Sequence, residues 1–515
     1  MTSLRGSLNA SPLLARLPLW GILGLALFFR LSGITWGLPL KFAHIDESVV
    51  IHYSLRIVAG VVNPGFYDYP GFFLYLLAGL FQIGATIHGW VTGVGLDSLV
   101  RAYEAGDPNF FTLSARGLTV GFALLTIGLT YSIGVRRGRW GIGVGAATFL
   151  AVNALHIRSS HYGLIDVAAG FLTLVAMDKI IQFGLTQNVR DGAIAAFFVG
   201  LGAATKYYPG ILLIPLVLLP FAEKHPHPVR RMSIIVGMSF LGLFIGSPFT
   251  VLSVGEFWAR FNHLAPKIVG LPTAHSQPFL PTIANLWRHA GPVIMVVGGM
   301  GVGYSFWEKG AWRILGILWL TLFIFLGLWT LQAPHYGLAL YPPLFLFAFH
   351  MVDAIPWRRP LLGFLLAGAL LPIALPSAVN EIRYLQRPDT RLQAVDWVRR
   401  HIPPGSKILR FSHTPDFKRS DPYQVVVDFK DERLVRMNQS PEELQRGIQA
   451  MREFDFIIIS DVDPRVGGSS SFIDQSFSLM QRFSDPPSSG YHNPVVSIYS
   501  CRKNVPLAPL KDPLL

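Results

Sequence analysis

The chain has 515 residues, of which 51% are hydrophobic and only 14% charged, about half the ~25% charged share of an ordinary soluble domain. The apolar residues fall in blocks of roughly twenty, the length that spans a bilayer core as helix, which excludes a soluble globular chain of scattered amphipathic periodicity. The net charge of +13 does not indicate nucleic acid. It sits in short loops between apolar blocks, at Arg136, Arg137 and Arg139, at Lys224, Arg230 and Arg231, and at Arg358 and Arg359, the pattern of cytoplasmic loops in membrane proteins.

In chain order, Arg5 and Arg16 place the N-terminus in the cytoplasm, and the first apolar block, about 18–38, carries the chain out as an anchor. It is too long for a signal-peptide core and lacks a small-residue cleavage site. The next basic loop, 136–139, requires an even number of crossings. Of the blocks at about 71–91 and about 112–134, the first contains Gln82, Gly84, His88 and Gly89. Parity therefore lays 71–91 along the outer interface and lets 112–134 cross. A span at about 141–158 goes out and one at about 164–184 returns. Two short helices, about 193–204 and 210–222, form a hairpin with Thr205-Lys206-Tyr207-Tyr208-Pro209-Gly210 at its outer turn. Further spans follow at about 232–250, 291–306, 313–331, 337–354 and 361–379, with a long outer loop over 252–290. The expected fold is all-α and polytopic, with about eleven crossings over 1–379 and an outer loop over about 39–111.

Residues 380–515 read differently. Charge density rises and the apolar runs shorten to strand length, at 407–411, 456–459 and 495–499, separated by helical stretches at 391–401 and 441–453. The second opens with Ser440-Pro441-Glu442-Glu443, a cap followed by a first-turn proline. The region is expected to be a small extracytoplasmic α/β domain without a catalytic constellation. Gly467 to Ser471 reads as a loop. The single cysteine, Cys501, excludes an intramolecular disulfide framework and a cysteine-cluster metal site.

By this count several ionisable residues gather at the outer face. They are Asp46 and Glu47 after the first span, Asp166 at an outer turn, Arg116 and Arg158 near helix ends, Lys206 at the hairpin tip, and His335-Tyr336 at another turn. Ionisable groups at membrane depth are costly and mark function by default. Carboxylates able to take a proton from an acceptor, with cations facing a departing phosphate, suit transfer from a lipid-phosphate sugar. Each also has a plainer reading. Asp46 and Glu47 can be solvated at a span end, Asp166 can favour a helix N-terminus, and Arg116 and Arg158 can snorkel to headgroups. Tyr and Trp near span ends suit interface anchors.

The stretch His44-Ile45-Asp46-Glu47-Ser48, followed by Tyr53, Ile57, Gly60 and Tyr69-Pro70-Gly71-Phe72-Phe73-Leu74-Tyr75, resembles the first outer loop of GT-C membrane glycosyltransferases. More narrowly, it is similar to the branch of protein O-mannosyltransferases and the lipid A aminoarabinose transferase. The likeness continues through Arg116, Arg158-Ser159-Ser160, Asp166, Thr205-Lys206, and His335-Tyr336 before Tyr341-Pro342-Pro343, and covers roughly 20–350. It implies a GT-C-like fold and an inverting enzyme using a polyprenyl- or dolichyl-phosphate sugar, with Asp46 as catalytic carboxylate, Glu47 its neighbour and Asp166 a second acid.

Arg116, Arg158, Lys206, His335 and Tyr336 are the candidates for the donor phosphate. Relatives often read Arg-Tyr where this chain has His335-Tyr336. The aminoarabinose branch has Lys-Pro where this chain has Tyr69-Pro70, which argues against that donor. His44, Asp46 and Glu47 could hold a divalent ion, and the residues leave metal use open. The expected setting is a bacterial inner membrane with the site and C-terminal domain outside. The acceptor, whether protein, lipid or glycan, is not legible. A transporter or flippase for a lipid-linked or anionic substrate is the alternative, although no internal repeat of the transporter kind is found.

Overall fold

A computed structural model of the chain describes residues 17–268, 277–354, 361–411, 413–417, 420–428, 432–435, 440–463, 470–484 and 493–501. Arg5, Arg16, Arg358, Arg359 and Gly467 lie outside the described residues; Ser470 and Ser471 open a helix, Ser470–Ser476. Contacts divide the chain into two compact units. One comprises Met1–Ile34, Val50–Gln82 and Ser114–Arg383, the other Thr35–Val49, Ile83–Leu113 and Tyr384–Leu515.

The protein is an integral membrane protein. Among the described residues five helices are long and apolar enough to cross a bilayer: Phe72–Thr92, Asn109–Arg137, Ile165–Thr186, Pro228–Gly246 and Pro334–Ala354. Shorter apolar helices of 10–17 residues occupy Leu17–Leu31, Tyr208–Ala222, Pro292–Ser305 and Ala311–Gly327. Length and composition thus support five crossings, or six with the bent pair described next, and do not establish the expected count of about eleven.

Phe72–Thr92, expected along the outer interface, is one helix of 21 residues that meets the length and apolarity of a span. Three expectations are corrected. The span expected at 141–158 is two helices, Trp140–Ala151 and Ala154–Ser160, bent by 59°. The expected loop over 252–290 contains the helices Val254–Ile268 and Leu280–Ala290, which are too short and polar to register as apolar blocks. The last helix of the first unit, Leu361–Leu385, also runs past its expected end at 379.

The core of the first unit surrounds Tyr341–Ala354, whose side chains from Tyr341 through His350 are all buried, as befits a helix hydrophobic all round. Small residues let its neighbours close in. A methyl group at Gly298 would lie 2.7 Å from Leu344 Cδ1, and one at Gly145 would overlap the Phe349 ring. The bend between Ala151 and Ala154 has a definite cause. Asn153 caps the second piece by accepting the His156 N–H at 2.9 Å. The carbonyls released by the break are filled by Arg30, which is fully buried and donates to Ala151 O at 2.9 Å and Leu150 O at 3.3 Å.

The second unit contains five strands, β1 Lys407–Arg410, β2 Gln424–Val427, β3 Phe456–Ser460, β4 Ser478–Phe483 and β5 Val496–Ser500, in the order β2-β1-β3-β5-β4. The β1 pairings with β2 and β3 are parallel, those of β5 with β3 and β4 antiparallel. β3 and β5 are buried throughout, because helices cover both faces. Ile457 and Ile459 join Ala450 and Met451 of the helix Pro441–Met451 on one face. Phe456 and Ile458 join Ala394 and Val398 of the helix Thr390–His401 on the other. The α/β character read from the sequence is present.

Candidate active site

In the first unit, chain folding gathers four of the sequence-selected residues. Asp166 lies in the first turn of Ile165–Thr186, where a carboxylate is favoured by the helix dipole. The cap position itself is Leu164, so Asp166 does not serve as the cap. Its Oδ1 accepts from Lys206 Nζ at 2.5 Å. Lys206 stands just beyond the helix Val189–Ala203, and its ammonium lies 4.2 Å over the Tyr336 ring. His335 packs edge-on to that ring with centroids 4.6 Å apart. Asp166 is 8% exposed. A lone charge buried to this degree would cost several kcal/mol, and pairing with Lys206 offsets part of that cost. A lysine ammonium has three N–H donors, so an anion entering here could share Lys206 with Asp166.

The two arginines are placed differently. Arg116 is fully buried and donates through Nη1 to Ile34 O at 2.6 Å, so it does not snorkel. Arg158 makes a fork with Glu381, Nε to Oε1 at 2.7 Å and Nη2 to Oε2 at 2.5 Å. Its charge is balanced by a carboxylate that sequence reading passed over.

The Tyr69-Pro70-Gly71 turn is tied into the same unit. Gly71 N–H donates to Ser247 Oγ at 2.8 Å and Phe72 N–H to Ala204 O at 3.1 Å. Tyr207, next to Lys206, donates to Tyr67 O at 2.9 Å, and Tyr67 donates to Glu256 Oε2 at 3.0 Å. Arg260 forks onto Asp68. The helix Val254–Ile268 is therefore bound to the segment ahead of the Pro-aromatic turn.

Asp46 and Glu47 belong to the second unit, in the first turn of Ile45–Val58. Glu47 and His44 are buried, while Asp46 is half-buried. The Asp46 N–H donates to His44 Nδ1 at 3.2 Å. Ser48 Oγ donates to Lys41 O at 2.5 Å, and Lys41 Nζ sits 4.0 Å over the Tyr103 ring. Burial, and then the Glu47 charge, push the Tyr103 phenol well up. Among the described residues no three His, Cys, Asp or Glu side chains form a metal-holding group, so His44, Asp46 and Glu47 do not make a three-ligand site.

The architecture is that of the GT-C membrane glycosyltransferases. The chain is similar to ArnT from Cupriavidus metallidurans, in its structure bound to undecaprenyl phosphate, with a TM-score of 0.52, 14% identity and coverage of 94% of this chain and 97% of that one. The apo form of ArnT gives a TM-score of 0.53 at 12% identity over the same shares. The apo oligosaccharyltransferase from Archaeoglobus fulgidus gives 0.49 at 12% identity, covering 96% of this chain and 76% of that one. No protein-family model and no curated protein sequence matches.

Proposed function

We propose that the protein is an inverting glycosyltransferase that moves a sugar from a polyprenyl- or dolichyl-phosphate carrier to an acceptor at the outer face of a bacterial inner membrane. The observation that carries this reading is the Lys206–Asp166 pair beneath Tyr336 and beside His335, a cation held in a protein with the GT-C fold. The neighbour of that fold bound to undecaprenyl phosphate supports the same donor class.

In the proposed reaction Asp46 takes the proton of the acceptor hydroxyl as its oxygen attacks the anomeric carbon from the face opposite the phosphate. A carbon–oxygen bond forms to the acceptor, and the bond to the carrier phosphate breaks. The electron pair leaves on the phosphate oxygen, whose developing charge a cation stabilises; Lys206 is the sequence-selected candidate for that role. Arg116 and Arg158 are weaker phosphate candidates because protein oxygens already engage them. Asp166 holds Lys206 in place until the phosphate arrives, and Glu47 supports Asp46. The site and the region from 380 onward are proposed to face outward, with the loop at 136–139 inside.

The alternative transporter reading has one feature to cite, the broken helix Trp140–Ser160. Its freed carbonyls are filled by Arg30 and are not offered to a transported ion.

The test compares wild type with Asp46→Asn in nanodiscs, using radiolabelled polyprenyl-phosphate sugars and a membrane extract as acceptor. Transfer by wild type is expected to fall by about 10³-fold in folded Asp46→Asn. Equal transfer by both removes Asp46 from the mechanism.

A further inference from the structure

The second unit holds a buried charge pair that the reaction above does not use. Asp389 caps the helix Thr390–His401 by accepting the Arg391 N–H through Oδ1 at 2.9 Å. The same carboxylate takes both arms of the Arg391 fork, Nε at 2.8 Å and Nη2 at 2.6 Å. Arg391 is 1% exposed and Asp389 4%. With one edge of the guanidinium filled by Asp389, the remaining nitrogen, Nη1, donates to Ala43 O at 2.8 Å and more weakly to Phe42 O at 3.4 Å.

The segment so held lies immediately before His44-Ile45-Asp46-Glu47. It is gripped a second time by Asp416, whose Oδ2 accepts the Phe42 N–H at 3.1 Å while its Oδ1 is held by Arg410 Nη2 at 2.8 Å. A third restraint is steric. Gly37 has φ +69, and a methyl group there would lie 2.6 Å from Ala43 Cβ. Three independent fixings thus converge on 42–43, two of them from residues nearly 350 or more positions later in the chain.

We infer that Arg391, oriented by Asp389, is a positioning residue that sets the backbone ahead of Asp46 and hence the direction of the Asp46 carboxylate. This rests on the proposed role of Asp46. It gives the C-terminal region from 384 onward a part in the reaction through geometry, with no group of its own on the substrate. The chemistry of the side chain fits the task. A guanidinium is planar, permanently charged and forked, so it bridges a carboxylate and a carbonyl in fixed directions. A lysine at 391 keeps the charge and loses the second direction.

The test uses the full chain in nanodiscs and compares wild type, Arg391→Lys, Arg391→Gln and Asp416→Asn. Hydrogen exchange over residues 38–48 is expected to accelerate about ten-fold or more in Arg391→Gln, less in Arg391→Lys, with the helix Tyr341–Ala354 unchanged as the control for folding. In transfer assays kcat is expected to fall by about 10²-fold, the scale of an ångström-sized misplacement, while KM for the polyprenyl-phosphate sugar stays within about two-fold, as for an interaction realised only in the transition state. Unchanged exchange over 38–48 in Arg391→Gln overturns the inference whatever the activity. So does faster exchange with full kcat in an enzyme that Asp46→Asn inactivates. If Arg391→Gln does not fold, Arg391→Lys carries the same two readouts, and Asp416→Asn reports the second fixing separately. If Asp46→Asn retains transfer, the role of Asp46 has failed, and the exchange data still report whether 42–43 is held.

Discussion

Glu381 and Arg158 show what a single pairing does in this chain. The Glu381 side chain is 5% exposed and that of Arg158 29%, so removing either leaves the other charge poorly solvated. Arg158→Ala or Glu381→Ala is expected to lower stability by about 1–3 kcal/mol, below the figure for fully buried pairs because water still reaches Arg158. The double variant should recover part of that loss, as a thermal-melt double-mutant cycle in detergent will record. A second expectation concerns His413 in the sheet unit. Burial first, and the Arg391 charge second, hold its imidazole down to about 4. The native state therefore keeps it neutral while the unfolded chain takes up a proton near 6.5. Its contribution to stability is full above about 6.5 and is lost as pH falls towards 4. His413→Asn, which tolerates the local φ of +59, should shrink the drop in melting temperature between pH 7 and pH 5. The charged residues of the candidate site were legible because ionisable groups are scarce in such a chain. Glu381 was not, because it follows the last apolar block and reads as the start of a polar region. Arg30 could have been noticed, since a charge inside an apolar run is itself a signal.

Among the elements, the pair Val189–Ala203 and Pro228–Gly246 depends on two notches. A methyl group at Gly200 would overlap the Ser239 carbonyl, and one at Gly242 would overlap that of Phe197. Gly200→Ala and Gly242→Ala are each expected to cost about 1–3 kcal/mol as overpacking, read as lowered melting temperature, although alanine is the better helix former. The existence of both helices was legible from apolar run length, expected at about 193–204 and 232–250, whereas their notches were not, because many other glycines of the chain face open space. Val254–Ile268 escaped for a different reason. Its apolar side chains, among them Phe257 and Phe261 against Tyr207, recur with polar residues between them, and a reading tuned to unbroken blocks passes over an amphipathic helix. Of the five strands, β1, β3 and β5 were read from the sequence, β3 and β5 as short continuous apolar runs, the signature of strands covered on both faces, whereas β2 and β4, at the sheet edges and mixed with polar residues, were not.

At the scale of the whole molecule, the second unit gathers 35–49 and 83–113 with the C-terminal region, an association that no local pattern announces. Phe42 and Asp416 are 374 residues apart, and periodicity carries no information at that range. The proposed orientation is open to direct measurement, because Cys501 is the only cysteine. In a Cys501→Ser background, an impermeant maleimide should label Gln445→Cys in intact cells and Lys224→Cys only after lysis. The reverse pattern would invert the orientation. The buried guanidinium of Arg30 has a further consequence, for biosynthesis. It leaves the ribosome on the first apolar helix with only Ala26 O, one turn back, within reach, while the Leu150 and Ala151 carbonyls it also needs follow 120 and 121 residues later. An arginine in the last turn of an apolar helix opposes its burial until partners arrive, so the newborn helix should hold its place weakly until Leu150 and Ala151 emerge. Chains arrested before residue 150 should therefore remain extractable by alkali, and those arrested after the break has formed should not.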